Sequence, residues 1–180
     1  MNHQKEFQTM GFTVIRNMIN DTDDLYNYTL YNKVNGDFND PQIPNTPSFY
    51  NDKKMTEIQL DLLPILEKNL NLELFKTYNY YRIYKRGDIL KMHRDRPACE
   101  ISVTINLGYK NKPWGIWITD FDENPHQVFL EPGDGLVYHG CDLWHWRGIN
   151  NETDNCSQVF MQYVDQNGPC SWAKDDNSYD

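Results

Sequence analysis

The chain has 180 residues, enough for one domain around a single buried core. Hydrophobic residues make up 39% and aromatic residues 14%, which excludes a disordered chain; twelve Tyr and five Trp favour half-buried β-sheet surfaces. A formal net charge of −9 argues against a general nucleic-acid binder or a partner of anionic membranes.

No stretch approaches the roughly 18 consecutive apolar residues of a membrane span. The opening Met1-Asn2-His3-Gln4-Lys5-Glu6 lacks the apolar segment of a secretory signal, so a cytoplasmic, intracellular protein is expected. The four cysteines (Cys99, Cys141, Cys156, Cys170) show no C-x-x-C spacing, so neither a zinc knuckle nor a redox motif is indicated and free thiols are expected.

In chain order, Gly11-Phe12-Thr13-Val14-Ile15 reads as a short strand. Asp21-Thr22-Asp23-Asp24 can cap a helix carrying Leu25, Tyr28 and Tyr31 on one face. From Asn35 to Asn51, Gly36, Pro41, Pro44 and Pro47 disfavour regular structure and predict a long loop, of a length that is usually functional or mobile. Asp52 to Leu70 turns helical through Ile58, Leu62, Ile65, Leu66 and Leu70, with Pro64 expected to kink or divide the helix. Tyr78 to Tyr84 is dense in β-formers, and Lys85-Arg86-Gly87-Asp88 turns the chain. Glu100 to Leu107 alternates polar and apolar and is the cleanest strand. Further strands are expected at Trp114 to Thr119, Gln127 to Leu130, Gly135 to Tyr138 and Gln158 to Val164, separated by Pro- and Gly-containing turns. Helices first and many antiparallel strands after them describe one α+β domain over residues 1–180, built on a β-barrel or sandwich.

His93 and Asp95 are two residues apart, so an extended backbone points both side chains to one face. An imidazole and a carboxylate converging in this way make two thirds of the facial site of a non-haem ferrous ion. His145, between Trp144 and Trp146, is the candidate third ligand, and His139 its rival. Two histidines and a carboxylate leave coordination positions open, as an oxygen-activating iron requires.

Four features together, Tyr84-x-x-Gly87, His93-x-Asp95, Pro132-Gly133-Asp134 and the distal His145, resemble the 2-oxoglutarate- and Fe(II)-dependent oxygenases, in particular the prolyl 4-hydroxylase-like branch. The resemblance implies a double-stranded β-helix (jelly-roll) core with N-terminal helices packed on one sheet. It implies Fe(II) held by His93, Asp95 and His145, with 2-oxoglutarate and dioxygen as co-substrates and ascorbate as a further candidate. The implied reaction is hydroxylation of an unactivated C–H bond in a prolyl peptide, another peptide or a small molecule, with release of succinate and carbon dioxide. In related halogenases a small residue stands at the carboxylate position, so Asp95 implies hydroxylation.

One departure from the pattern stands out. The family places an Arg or Lys about ten residues past the distal histidine to pair with the far carboxylate of 2-oxoglutarate; here Thr153-Asp154-Asn155-Cys156-Ser157-Gln158 has no basic residue. Arg147, two residues after His145, shares its strand face and offers a forked donor for a carboxylate. Lys112 and Lys110 are the second choice, and Tyr84 would add a hydroxyl near the co-substrate. Arg82, Arg86, Arg94 and Arg96 read as solvated or partner-facing, Arg94 and Arg96 as candidates to line a substrate entrance; Tyr78, Tyr80 and Trp117 read as core aromatics. Two other classes fit parts of the pattern: a cupin-type metal enzyme that does not use 2-oxoglutarate, and a non-catalytic β-barrel binding protein.

Overall fold

The computed structural model describes residues 2–176. Its elements are α1 (His3–Met10), β1 (Phe12–Ile15), α2 (Asp23–Asn32), β2 (Ser48–Tyr50), α3 (Lys53–Leu70), β3 (Leu74–Tyr84), β4 (Leu90–His93), β5 (Ile101–Lys110), β6 (Ile116–Thr119), β7 (Pro125–Val128), β8 (Gly135–His139), β9 (His145–Arg147) and β10 (Asp154–Asp165).

The strands form two antiparallel sheets. The larger has the order β1-β8-β5-β10-β3-β2 and the smaller β4-β9-β6-β7. Phe12, Leu136 and Tyr138 of the larger sheet pack against Ile116 and Ile118 of the smaller, so the two sheets close on a shared interior. The outer face of the larger sheet is covered by the helices: Phe7 of α1, Leu25 of α2 and Met55, Leu62, Leu66 and Leu70 of α3 join Tyr81, Ile83, Val103, Ile105, Val159 and Met161 in one apolar cluster. Because side chains alternate across a strand, the same three strands send Arg82, Tyr84, Ser102, Thr104, Gln158 and Gln162 to the opposite face. Those side chains are buried too, which makes the interior between the sheets unusually polar.

The local structure departs from the sequence pattern at several points, and the strand expected at Gln127 to Leu130 runs instead from Pro125 to Val128. The helix α1 has no counterpart in the sequence reading, because Phe7 is its one fully buried residue and its apolar pattern is correspondingly weak. It is fixed at its ends, by the Asn2 side chain accepting from Lys5 N and by Gly11 in the left-handed region (φ 83°). In α2 Leu25 is buried but Tyr31 is 85% exposed; six residues turn a helix by about 240°, so the two do not share a face. Pro64 does not divide α3, which runs unbroken from Lys53 to Leu70 with the proline on its exposed side. At an exposed position water can replace the missing hydrogen bond, which lowers its cost. Within the predicted loop, Ser48–Tyr50 pairs with β3 as an edge strand.

Candidate metal centre

The smaller sheet sets β4 beside β9 in a register that makes His93 and His145 direct partners. Their rings lie 4.2 Å apart, centroid to centroid. His93 ends its strand, and Asp95 sits in the following loop rather than on a continuing strand. Its position is fixed by other means: Asp95 N donates to Gly140 O at 2.8 Å, and Ser102 Oγ donates to Asp95 Oδ2 at 2.7 Å. Asp95 Oδ1 is then 3.3 Å from His145 Nε2 and 3.6 Å from His93 Nε2. Ligand atoms of the three residues all lie within 4.8 Å of one another.

Both imidazoles are oriented from behind. His93 Nδ1 lies 2.8 Å from Lys91 O and His145 Nδ1 3.0 Å from Leu143 O. A carbonyl only accepts, so each Nδ1 carries the proton and each Nε2 faces Asp95 and the shared space. Burial alone would lower His145, but the charge of Asp95 and a hydrogen bond to it hold its pKa above the ordinary histidine value. Burial would raise Asp95, yet the charge of His145 and the hydrogen bonds from His145 and Ser102 leave its carboxyl below the usual range. His93 is pushed down by burial and by His145. Two nitrogens and one carboxylate oxygen converging from one side suit a divalent metal of the borderline class, ferrous iron among them.

Gly140 is required by close approach. A Cβ there would stand 2.3 Å from Cys99 O and 2.6 Å from Asp95 Oδ2, so any side chain would displace the carboxylate or the backbone beside it. Neither Gly140 nor Ser102 carries a signal in the sequence, because their role arises only from the tertiary approach of β5 and the end of β8.

The rival histidine is not part of this cluster. His139 stacks on Phe7 at 4.3 Å and lies 3.6 Å from Asp142, facing α1. Arg147 is buried, two residues beyond His145. It donates to Trp114 O, reaches Gln158 Oε1 at 3.4 Å and lies over the Trp114 ring. Tyr84 is buried edge-on to the same tryptophan, and its hydroxyl and Arg147 Nε have no hydrogen-bond partner among the described residues. Lys112 is not brought to the site: it is a surface residue, its side chain 69% exposed and ion-paired with Glu152. Lys110 is also exposed.

Arg82 departs furthest from expectation. Instead of meeting solvent it has a fully buried side chain, ion-paired with Asp40 and donating to Gln42 Oε1 at 2.9 Å. Arg86 does lie at the surface, paired with Asp154. Arg94 stacks over Trp144 and Arg96 over Tyr78. Both arginines line a cleft of about 470 Å³ whose wall also includes His93, Asp95, Asp40, Gln42, Tyr50, Tyr78 and Tyr80. Tyr78 and Tyr80 are thus cleft aromatics as well as packing residues. Trp117 stacks on Trp146 on the smaller sheet, and both rings are half-buried.

No family model and no curated protein matches the sequence. Solved structures match the fold. A Pseudomonas putida prolyl-4-hydroxylase aligns at TM-score 0.69 and 12% identity, over 89% of this chain and 96% of that one. HygX from Streptomyces hygroscopicus, solved with nickel and 2-oxoglutarate bound, aligns at TM-score 0.71 and 14% identity, over 92% and 87%. A Trichoplax adhaerens prolyl hydroxylase, in complex with a hypoxia inducible factor peptide fragment, aligns at 0.67 and 13%, over 92% and 88%. The chain shares their fold. Among the described residues no helix is long and apolar enough to cross a membrane.

Proposed function

We propose that the chain is an Fe(II)- and 2-oxoglutarate-dependent oxygenase of the prolyl 4-hydroxylase-like kind, its two sheets forming a jelly-roll. The observation that carries this reading is the cluster of His93, Asp95 and His145 inside 4.8 Å, with both histidines oriented by backbone carbonyls. The shared fold with oxygenases, one of them solved with 2-oxoglutarate bound, supports it. His93 Nε2, Asp95 Oδ1 and His145 Nε2 would hold the iron. When bound, iron and 2-oxoglutarate supply the oxygen chemistry, in which decarboxylation to succinate and carbon dioxide is coupled to hydroxylation of an unactivated C–H bond.

The chain's own residues provide position and dryness. Arg147 is a fixed cation in the interior, with its fork held by Trp114 O and Gln158, and is suited to take the distal carboxylate of the co-substrate. A buried guanidinium needs an anion, and no acidic side chain is its hydrogen-bond or ion-pair partner among the described residues. Tyr84 offers a hydroxyl beside it that has no hydrogen-bond partner among the described residues. Ser102 holds the second oxygen of Asp95, leaving the first for the metal. Arg147, Tyr84 and Ser102 are themselves almost fully buried, which strengthens the contacts they make. The substrate would enter through the cleft lined by Arg94, Arg96, Tyr78 and Tyr80.

Calorimetric titration of the full chain with Mn(II), then with 2-oxoglutarate, tests the reading. Saturable 2-oxoglutarate binding that requires the metal is expected, together with succinate release when Fe(II) replaces Mn(II) in air. Metal binding without 2-oxoglutarate binding would point to a cupin-type enzyme, and neither would leave a non-catalytic binding barrel.

A further inference from the structure

The segment between α2 and β2 lies across the mouth of the interior as a closed loop. Asp37 and Ser48 pair at its base through two backbone hydrogen bonds of 2.9 Å, and Asn45 N donates to Phe38 O at 3.0 Å. Three of its side chains reach inward. Ile43, 3% exposed, packs with Tyr84, Leu90 and Phe160. Gln42 places Nε2 3.3 Å from His93 Nε2 and accepts from Arg82 through Oε1. Asp40 pairs with Arg82 and accepts from Tyr50 Oη at 2.9 Å. The cleft beside the triad includes His93 and Asp95 but not His145, Arg82 or Tyr84.

These contacts conflict with a loaded site. His93 Nε2 is the atom that must face a metal, and Gln42 stands against it. Asp40 is two residues from Gln42 and tied to it, since Gln42 N donates to Asp40 Oδ1 at 2.8 Å. If Gln42 withdraws, Asp40 is drawn with it, and Arg82, fully buried over the Tyr80 and Tyr84 rings, loses its only ion-pair partner among the described residues. Its Nε already has no hydrogen-bond partner among the described residues. A buried guanidinium without an anion is unfavourable, as for Arg147, and this favours another anion in the place of Asp40. A carboxylate fits the forked donor, with the Tyr50 hydroxyl as a further donor.

Resting on the oxygenase reading above, we infer that Arg82 is a second carboxylate-binding residue of the metal cavity, for which Asp40 is a built-in stand-in that an acid-bearing ligand displaces. The carboxylate comes either from the metal-side end of 2-oxoglutarate or from a substrate that is itself a small carboxylic acid.

The test compares the wild-type chain with Asp40→Asn, a change on a loop that removes the charge and keeps the shape. Both are loaded with Mn(II) and titrated with 2-oxoglutarate; then, saturated with 2-oxoglutarate, they are titrated with a panel of single amino acids. A stand-in that closes the site nine times in ten lowers affinity about tenfold, so its removal should tighten binding about tenfold. Tighter 2-oxoglutarate assigns Arg82 to the co-substrate; tighter amino-acid binding with 2-oxoglutarate unchanged assigns it to the substrate. If Asp40→Asn leaves every affinity as in the wild type, or weakens it, the Arg82–Asp40 pair is purely structural and this inference falls alone. If the wild type takes up neither Mn(II) nor 2-oxoglutarate, the proposed function falls and the inference with it.

Discussion

The strands β3, β5 and β10 have two buried faces that differ in kind. One presents Tyr81, Ile83, Val103, Ile105, Val159 and Met161 to the helices. The other presents Arg82, Tyr84, Ser102, Thr104, Gln158 and Gln162 to the interior. The first face is held by apolar burial, which is non-directional and tolerant of repacking. The second is held by hydrogen bonds and charge pairs, which demand fixed partners and are costly when unmet. Stability and chemistry are therefore separated by the pleat of the same strands, and substitutions should report on one face or the other.

The largest effect is expected on the apolar face. Leu66 of α3 is fully buried, and Leu66→Ala should cost about 2–5 kcal/mol in denaturant unfolding. Metal affinity of the folded fraction should stay near the wild-type value; a parallel loss would couple the two faces. On the polar face, Arg147→Met should weaken 2-oxoglutarate binding by about 2–5 kcal/mol, a factor of roughly thirty or more, with Mn(II) binding retained. An unchanged 2-oxoglutarate affinity would move the anchor elsewhere, with Arg82 next in line. Ser102→Ala removes the hydrogen bond behind Asp95, and a roughly ten- to hundredfold drop in Mn(II) affinity is expected from calorimetry. Equal affinities would mean that Gly140 alone positions the carboxylate.

The smallest effect belongs to the rim, where Glu100 stands at the start of β5. Burial raises its pKa above 4.5, against the pull of the hydrogen bond from Asp165 N. A carboxyl whose folded pKa is raised binds more protons folded than unfolded, so stability falls as pH rises from the unfolded value through the folded one. Glu100→Gln keeps an acceptor for Asp165 N and removes the titration. Its unfolding midpoint should therefore match or trail the wild type near pH 4 and exceed it near pH 7.5; parallel profiles would show that Glu100 contributes no such slope.

The same division explains what the sequence could convey. Alternation in Glu100 to Leu107 marks a strand in any context, and Ile101–Lys110 is one. What alternation does not reveal is that the polar side is buried as well, since Ser102, Thr104 and Asn106 would read the same facing water. The H-x-D spacing of His93 and Asp95 is common by itself, and it is the resemblance to the oxygenase pattern that joins it to His145; the structure brings the three side chains within 4.8 Å. Arg82 was misread. An arginine on a strand ordinarily faces solvent, and the partners that bury it come from a loop some forty residues earlier, Asp40 being 42 positions away. Lys112 was within reach by sequence, but its long exposed stem finds Glu152 at the surface. Gly140 could not be read at all, because its need for a missing Cβ depends on where Cys99 and Asp95 come to rest.

Everything proposed for the interior depends on His93, Asp95 and His145 forming one metal site. Anomalous scattering from crystals soaked in Mn(II) and 2-oxoglutarate tests it most directly. A manganese peak is expected within bonding distance of His93 Nε2, Asp95 Oδ1 and His145 Nε2, with 2-oxoglutarate extending from it toward Arg147. A triad without manganese at full soak, or manganese bound elsewhere, would contradict it.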